Sequence, residues 1–362
     1  MTARKHAFFW GAVTLLVIAF ILLFQQILLP FILGAVIGYL LDPSTDRLEE
    51  MKIPRTIAAF LVLSGFFVLL VAVFAMLLPI LEAQVLHFAE VLPDYIQLGK
   101  EKALEFSEVY IEPYLGSELI VRENLGQNYG EKAAQWITAT LKNIWSGGQA
   151  VFALVSLLLI TPVVAFYLLR DWDRMIERID SYIPKKNRDT VRRIMRDIDA
   201  TLAGFLRGQG IVCLLLGLFY AIGLSVVGLD FGLLLGLFIG LISFIPYLGA
   251  IFGGILCIGL ALIQFASLTP VLIVAAIFAV GQFLEGSILS PKFVGDNVNL
   301  HPVWVLFALM AGGSLFGFTG VLIAVPVAAI IGVMVRFVLD EYKKSSVYTG
   351  TSKRKKIKKK KA

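Results

Sequence analysis

The chain has 362 residues, of which 58% are hydrophobic and 16% are charged, and its formal net charge is +6. A typical soluble domain carries about 25% charged residues, and here the apolar residues form long uncharged blocks, which excludes a soluble globular protein. Because a helix that crosses the bilayer needs about 20 apolar residues, the blocks predict an all-α integral membrane protein with about eight transmembrane helices. The blocks lie at 7–41, 57–81, 149–169, 208–229, 231–284 and 297–335.

Residues 1–81 contain three predicted transmembrane helices. Arg4 and Lys5 precede the first block, and positive charge favours the cytoplasmic side of a membrane. The stretch 7–24 is long for the core of a signal peptide and lacks a cleavage site of small residues, so we interpret it as a retained anchor. A second helix ends near Leu41, a basic cytoplasmic loop follows at 42–56, and the third helix comes after it.

The segment 82–148 is the largest polar stretch, and we expect it to lie outside the cytoplasm. It holds 10 acidic and 5 basic residues with helix-like spacing, and this acidic excess agrees with the positive-inside rule. A fourth transmembrane helix at 149–169 leads back to a cytoplasmic segment, 170–207, that carries 10 Lys and Arg residues. Apolar residues recur every three or four positions from 191 to 205. This pattern predicts an amphipathic helix at the cytoplasmic interface or against a neighbouring subunit.

The uncharged run 231–284 is too long for one span and contains no polar turn. At its centre Pro246 removes a backbone donor, and Gly249 allows close approach of the backbone. We therefore expect a broken helix or a re-entrant hairpin, with Ser243 and Tyr247 on a substrate path, as transporters build their sites. A kinked helix packed on its neighbours is the alternative.

A second segment of the same kind follows residue 297, and we interpret the two as an internal repeat. The positions that match at an offset of 71 are Ser243 with Ser314, Tyr247 with Phe318 and Gly249 with Gly320. The predicted path residues of the second copy are Gly312, Gly313, Ser314 and Gly320. Repeats of this type place a site at their interface. Two unbroken helices at 231–265 and 303–337 would contradict the hypothesis.

Polar residues at membrane depth are the candidate transport residues. Glu285 lies past the middle of the predicted helix 270–290, and an intramembrane carboxylate is a functional hypothesis because burying it unpaired is costly. Protonation lowers that cost and can couple transport to a proton gradient; the alternative is a carboxylate near the outer headgroups that pairs with Lys292. Gln209 and Gln282 can hydrogen-bond a polar solute or join helices. The predicted outer rim consists of Asp230, Asp296 and His301.

The predicted transmembrane core thus covers 208–338, and a polybasic tail follows at 339–362. From Asp340 onward the tail carries 10 basic and 2 acidic residues. We interpret it as a solvated tail that keeps the C-terminus cytoplasmic, like the N-terminus, and not as a nucleic-acid patch. Cys213 and Cys257 fall inside apolar blocks and suggest neither a disulfide nor a metal site. The sequence contains no HExxH and no GxGD motif, so we expect no enzyme activity and no cofactor.

Two runs resemble the signatures of the autoinducer-2 exporter family of bacterial membrane proteins. They are SFIPYLGAIFGG at 243–254 and EGSILSPKFVGDNVNLHPVWVLFALMAGGSLFGFTGVLIAVP at 285–326. The resemblance covers nearly the whole chain, although its specific part is 240–330 and the Lys-rich tail is not part of the pattern. It implies a homo-oligomeric secondary transporter or facilitator of the bacterial inner membrane. Members of the family have been linked to export of the quorum-sensing molecule autoinducer-2 and to sodium/proton antiport.

The leading expectation is export of a small polar solute, with autoinducer-2 as the candidate, coupled to a proton gradient. Glu285 would couple or gate transport, while Gln209 and Gln282 would line the path. The first alternative is antiport of a monovalent cation and protons. The second is a membrane scaffold that works through the segment 82–148 and the amphipathic helix.

Overall fold

The computed structural model describes residues 16, 23–24, 27–106, 148–295 and 300–349, and within these ranges it contains helices and no strand. The prediction of an all-α fold is therefore confirmed for this part of the chain. The helices are α1 (Leu28–Glu50), α2 (Arg55–Phe106), α3 (Gly148–Tyr182), α4 (Arg188–Val226), α5 (Gly232–Ile242), α6 (Leu248–Gln264), α7 (Leu268–Leu284), α8 (Pro302–Lys344) and α9 (Ser346–Thr349). A 3-10 turn lies at Lys185–Asn187, and a π-helix at Glu285–Val294 continues α7.

Six helices of the described part are long and apolar enough to cross a membrane: α1, α2, α3, α4, α7 with the π-helix, and α8, which is counted here across its break at Gly317. Their outward faces carry large apolar side chains, such as Leu214 at 72% exposure and Met76 at 76%, which suits contact with lipid. Most of the predicted first span at 7–24, the whole of 107–147 and the tail beyond 349 lie outside the described residues.

Several helices are longer than the sequence predicts. The predicted loop 42–56 is helical as far as Glu50, because acidic residues on successive turns of α1 hold Arg55 at the start of α2. The Arg55 guanidinium lies 2.7 Å from Asp42, 2.6 Å from Asp46 and 3.0 Å from Glu49. The amphipathic segment and the fifth predicted span likewise form one helix, α4. With 52 residues, α2 is about 78 Å long at 1.5 Å per residue, so it extends well beyond the apolar stretch.

The first three helices meet in an apolar core. Ala59 and Leu63 of α2 and Ala165 and Leu169 of α3 are buried there, and Leu41 of α1 packs against them. Gly34 of α1 lies against Val164 of α3, where a Cβ would approach the Val164 Cβ to 2.7 Å. The Thr161 hydroxyl donates to the carbonyl of Pro30 at 3.3 Å, an acceptor near the start of α1. A neighbouring helix thus satisfies a polar group where no water is available.

The chain divides into two compact units. The first unit comprises Met1–Trp172 and Gly210–Ser290, and the second comprises Asp173–Gln209 and Pro291–Ala362. The first contains α5 and α6, and the second contains α8. Each unit therefore holds one of the two segments that the sequence predicts to be broken.

Both predicted breaks are present, and each produces a helical hairpin. In the first unit, α5 ends at Ile242 and α6 begins at Leu248. Gly253 of α6 packs against Ile239 of α5, where a Cβ would lie 3.1 Å from the Ile239 Cγ2. In the second unit, α8 has non-helical backbone angles at Gly317 (φ 57°, ψ −140°). The kinked-helix alternative is therefore wrong for the first segment.

The second hairpin is shown by a contact between two glycines of α8. A Cβ at Gly312 would lie 2.5 Å from the carbonyl oxygen of Gly320 and 3.3 Å from the Ala324 Cβ. In a straight helix Gly312 and Gly320 would be about 12 Å apart. The arms 302–316 and 318–344 therefore fold back on each other at Gly317.

Candidate functional site

The tip of the first hairpin contains the predicted path residues of the first repeat. Ser243, the residue after α5, is 1% exposed, and Tyr247, the residue before α6, is in the left-handed region at φ 69°. Gly249 packs against Ser243, since a Cβ there would overlap the Ser243 hydroxyl. Pro246 lies between them and is partly buried. The tip therefore turns in a few residues and leaves the N-terminal turn of α6 pointing into it.

A glycine stripe fixes the first hairpin against α4. Gly232, Gly236 and Gly240 recur every four residues of α5, and all three are buried. A Cβ on Gly236 would overlap the backbone of Ala221, and a Cβ on Gly240 would overlap that of Gly217. This is the small-residue packing by which membrane helices approach closely.

The tip of the second hairpin is also built from small residues. Gly312, Gly313 and Gly320 form its contact between arms, and Gly313 would place a Cβ 3.1 Å from Val321. Ser314 is exposed, and its hydroxyl donates to the carbonyl of Ala311 at 3.0 Å. The left-handed residues of the two tips, Tyr247 and Gly317, are 70 positions apart, which is within one residue of the offset of the predicted repeat.

A chain of hydrogen bonds joins α4 and α7 in the first unit. The Gln282 amide nitrogen donates to the Tyr220 hydroxyl at 3.2 Å and to the Glu285 carboxylate at 3.3 Å. The Tyr220 hydroxyl in turn donates to the carbonyl of Phe278 at 3.4 Å. Gln282 thus uses both amide hydrogens, and it links Glu285 to a tyrosine with 0% exposure. The structure brings together two predicted transport residues, Gln282 and Glu285.

Glu285 occupies a special position in the backbone. It is the first residue of the π-helix, directly after α7, and it is partly buried. π-Helical turns are rare and occur frequently at functional sites. A change from π- to α-helical hydrogen bonding here would rotate the residues beyond Glu285, so this carboxylate lies where a backbone rearrangement is available.

Sequence reasoning missed Tyr220, which the chain of hydrogen bonds requires. Its ring stacks on Phe278 with centroids 5.7 Å apart, and it fills the space above Gly281, where a Cβ would overlap the phenol. Within an uncharged block a tyrosine is hard to tell from an apolar core residue. The available signal was the Gly281-Gln282 pair, since a glycine beside a polar residue can mark a close helix contact.

The remaining predicted transport residue, Gln209, is buried at 6% exposure in α4. It belongs to the second unit, whereas Gln282 and Glu285 belong to the first. Its place on a common path with them therefore stays a prediction.

Of the three predicted rim residues, the structure describes two, Asp230 and His301. Asp230 accepts a hydrogen bond of 2.5 Å from the Tyr95 hydroxyl, whereas Asp296 lies outside the described residues. His301 is exposed, and its Nδ1 accepts from the Val303 amide at 3.3 Å, which caps α8. His301 lies at the open end of the second hairpin, and its outer-rim assignment stays a prediction, as does that of Asp230.

Contacts within the second unit locate that open end. Leu300 packs on Gly332, where a Cβ would lie 3.0 Å from the Leu300 Cδ2. Five residues further along α8, the ring of Phe337 lies 5.8 Å from the guanidinium of Arg193, in the basic segment 170–207. Arg193 and His301 therefore lie near the same end of the second hairpin, and the side of the membrane that this end faces stays a prediction.

The base of the first hairpin is held by the extension of α2, which is its part beyond the apolar stretch, residues 82–106. Besides the bond from Tyr95 to Asp230, the Gln84 side chain accepts from the Leu234 amide at 3.1 Å. The ring of His87 lies 5.6 Å from that of Phe231. Gln264 closes the base, because it accepts from the Asp230 amide and donates to the Gly228 carbonyl, both at 2.9 Å. Sequence reasoning found none of these contacts.

Comparison with known proteins gives one consistent result. The family model described as AI-2E family transporter matches residues 12–340. YrrI of Bacillus subtilis (strain 168), named as a candidate transport protein, is 30% identical over 325 residues, 87% of each chain. PerM of Escherichia coli (strain K12), named as a candidate permease, is 26% identical over 325 residues, 88% of this chain and 91% of PerM.

Proposed function

Because this chain belongs to the AI-2E family of transporters, and is thus a multi-pass membrane transporter, we propose that it exports a small polar solute coupled to a proton gradient. The proposed solute is autoinducer-2, after the activity linked to this family. Glu285 is the coupling carboxylate, and Gln282 and Tyr220 connect it to α4. The proposed assembly is a homo-oligomer in the bacterial inner membrane with both termini in the cytoplasm.

The observation that carries this proposal is the chain of hydrogen bonds from Phe278 through Tyr220 and Gln282 to Glu285. Within apolar helices a carboxylate is costly when charged, and the amide of Gln282 supports the charged form with a hydrogen bond. A proton that neutralises Glu285 removes the charge from the membrane. Loading and release of one proton at this position can therefore accompany movement of the solute.

The two hairpins supply polar backbone groups at membrane depth. With 11 residues, α5 is about 16 Å long, so it ends roughly halfway through a hydrocarbon core of about 30 Å. The N-terminal amides of α6 then point into the membrane interior, where a helix end attracts oxygen atoms of a polar solute. Such groups suit a hydroxylated solute, which needs donors and acceptors to replace its water.

The test is efflux of labelled autoinducer-2 from proteoliposomes of the purified protein, with and without an imposed pH gradient. We expect saturable flux that the gradient stimulates. Flux equal to that of protein-free liposomes would refute export of this solute. The same vesicles also test cation/proton antiport: quenching of an internal pH dye that depends on added Na⁺, without solute flux, would favour that alternative.

A scaffold function has a separate outcome. It predicts neither solute flux nor dye quenching, but it does predict a partner protein that cross-links to the extension of α2 or to the basic start of α4. A purified protein that transports in liposomes without any partner would contradict it.

A further inference from the structure

We propose that Gln84 and Tyr95, on the extension of α2, are positioning residues for transport: they set the axial position of the first hairpin and therefore the depth of its tip. These residues hold the first hairpin in place, and the effect of that on transport rests on the proposed function. The two residues contact the hairpin base and not its tip.

The first observation is a helix cap supplied by a distant part of the chain. The residue before α5, Phe231, is in the left-handed region at φ 62°, and its side chain makes no cap hydrogen bond. The early amides of a helix lack partners within the helix. The Gln84 side chain accepts from one of them, that of Leu234, at 3.1 Å. A residue 150 positions away thus does what an N-cap residue usually does.

The second observation is the bond from the Tyr95 hydroxyl to Asp230, 2.5 Å long. The amide of Asp230 donates to the side chain of Gln264, the last residue of α6. Tyr95 therefore holds the residue through which the start of α5 is bonded to the end of α6. Gln84 and Tyr95 are 11 positions apart, about three helical turns, and therefore lie on one face of α2. Together they fix the hairpin base at two points.

The third observation is that the packing of α5 on α4 leaves α5 free to shift along its axis. The stripe of Gly232, Gly236 and Gly240 packs backbone to backbone on α4. Helices resist sliding when side-chain ridges enter grooves, but a glycine stripe has no ridges. The packing therefore fixes the distance between α5 and α4 but not the axial position of α5, to which the polar contacts at the base contribute. Because α5 is a rigid helix, a shift at the base moves the tip equally.

The experiment measures the position of the tip without reference to any solute. The reporter is Tyr247→Cys, in a full-length protein whose native cysteines are replaced by Cys213→Ser and Cys257→Ala. The rate of its modification by N-ethylmaleimide in proteoliposomes reports the depth and exposure of the tip. A second reporter, Leu241→Cys on α5, covers the case in which Tyr247→Cys does not fold.

The test variants are Gln84→Leu and Tyr95→Phe, and the matched control is Gln97→Leu, an exposed position on the same extension. We expect each test variant to change the modification rate about three- to tenfold, the range that loss of one hydrogen bond allows, while the control leaves it unchanged. Equal rates in the parent protein and all three variants would overturn the proposal. A change that Gln97→Leu also produces would overturn it too, since it would report a general disturbance of the extension.

Transport kinetics give the functional part of the test. For Gln84→Leu and Tyr95→Phe in the protein with Tyr247 intact, we expect a higher KM for the solute with Vmax nearly retained, because tip placement sets binding and Glu285 is untouched. A fall in Vmax at unchanged KM would contradict a positioning role. Absence of flux in the unaltered protein would refute the proposed transport, whereas the modification rates would still decide whether Gln84 and Tyr95 position the tip.

Discussion

The glycine stripe of α5 allows a sharp test of the hairpin packing. We predict that Gly236→Ala destabilises the protein, because the new Cβ would overlap the backbone of Ala221 and lie 2.6 Å from the carbonyl carbon of Tyr220. Carbon atoms normally approach to about 3.5 Å, so α4 and α5 must separate by about 0.9 Å to relieve the contact with Tyr220, and by more to relieve the overlap with Ala221. Backbone atoms cannot rotate away as a flexible side chain can, and overpacking of this kind costs about 1–3 kcal/mol.

The matched control is Gly259→Ala on α6 of the same hairpin, where a Cβ meets nothing within 4 Å. Both substitutions gain about 1 kcal/mol of helix propensity, which cancels in the comparison. The free energy of unfolding, measured by SDS titration in detergent micelles, should be about 1–3 kcal/mol lower for Gly236→Ala than for Gly259→Ala. Equal stabilities would refute the packing of α5 on α4.

Three further features can be tested by single substitutions. Tyr220→Phe keeps the ring stacking but removes the acceptor of Gln282, so we expect slower gradient-driven flux and a loss of about 1 kcal/mol in an SDS titration; unchanged flux would exclude the hydroxyl from the mechanism. Gly317→Ala should cost about 1–3 kcal/mol because φ is 57° there, and a fully stable variant would contradict the second hairpin. Burial, and then the hydrogen bond to Asp230, raises the pKa of Tyr95. The stability that this tyrosine contributes is therefore present below its unfolded pKa of about 10 and is lost as pH rises above it. The stability difference between wild type and Tyr95→Phe should shrink between about pH 9 and pH 11, and a constant difference would refute this.

The sequence predicted the broken helices because their causes are local. Pro246 and Gly249 act within their own turn, and the glycines around Gly317 do the same in the second copy. The sequence does not identify the residues at which the chain turns. An aromatic residue rarely adopts the left-handed conformation that Tyr247 has, and only the packing of the arms enforces it.

Prediction failed where distant residues decide the structure. The charges of the stretch 42–56 suggested a loop, but Arg55 binds three acidic residues of α1 and keeps that stretch helical as far as Glu50. Tyr220 became a candidate only when Gly281, on another helix, was seen to make room for it. No pattern in the sequence links Gln84 to Leu234, because their contact depends on how α2 continues beyond the membrane.

The contact from Gln282 to Glu285 underlies the central claim, that Glu285 couples transport to the proton gradient. The most direct test is the pH-gradient dependence of solute flux in proteoliposomes of Glu285→Gln, compared with wild type at equal reconstitution. The carboxamide that this substitution introduces cannot exchange a proton as a carboxylate does, so the variant should lose gradient stimulation while it keeps passive, saturable flux down a solute gradient. Gradient stimulation equal to that of wild type would contradict the account and remove Glu285 from the coupling mechanism.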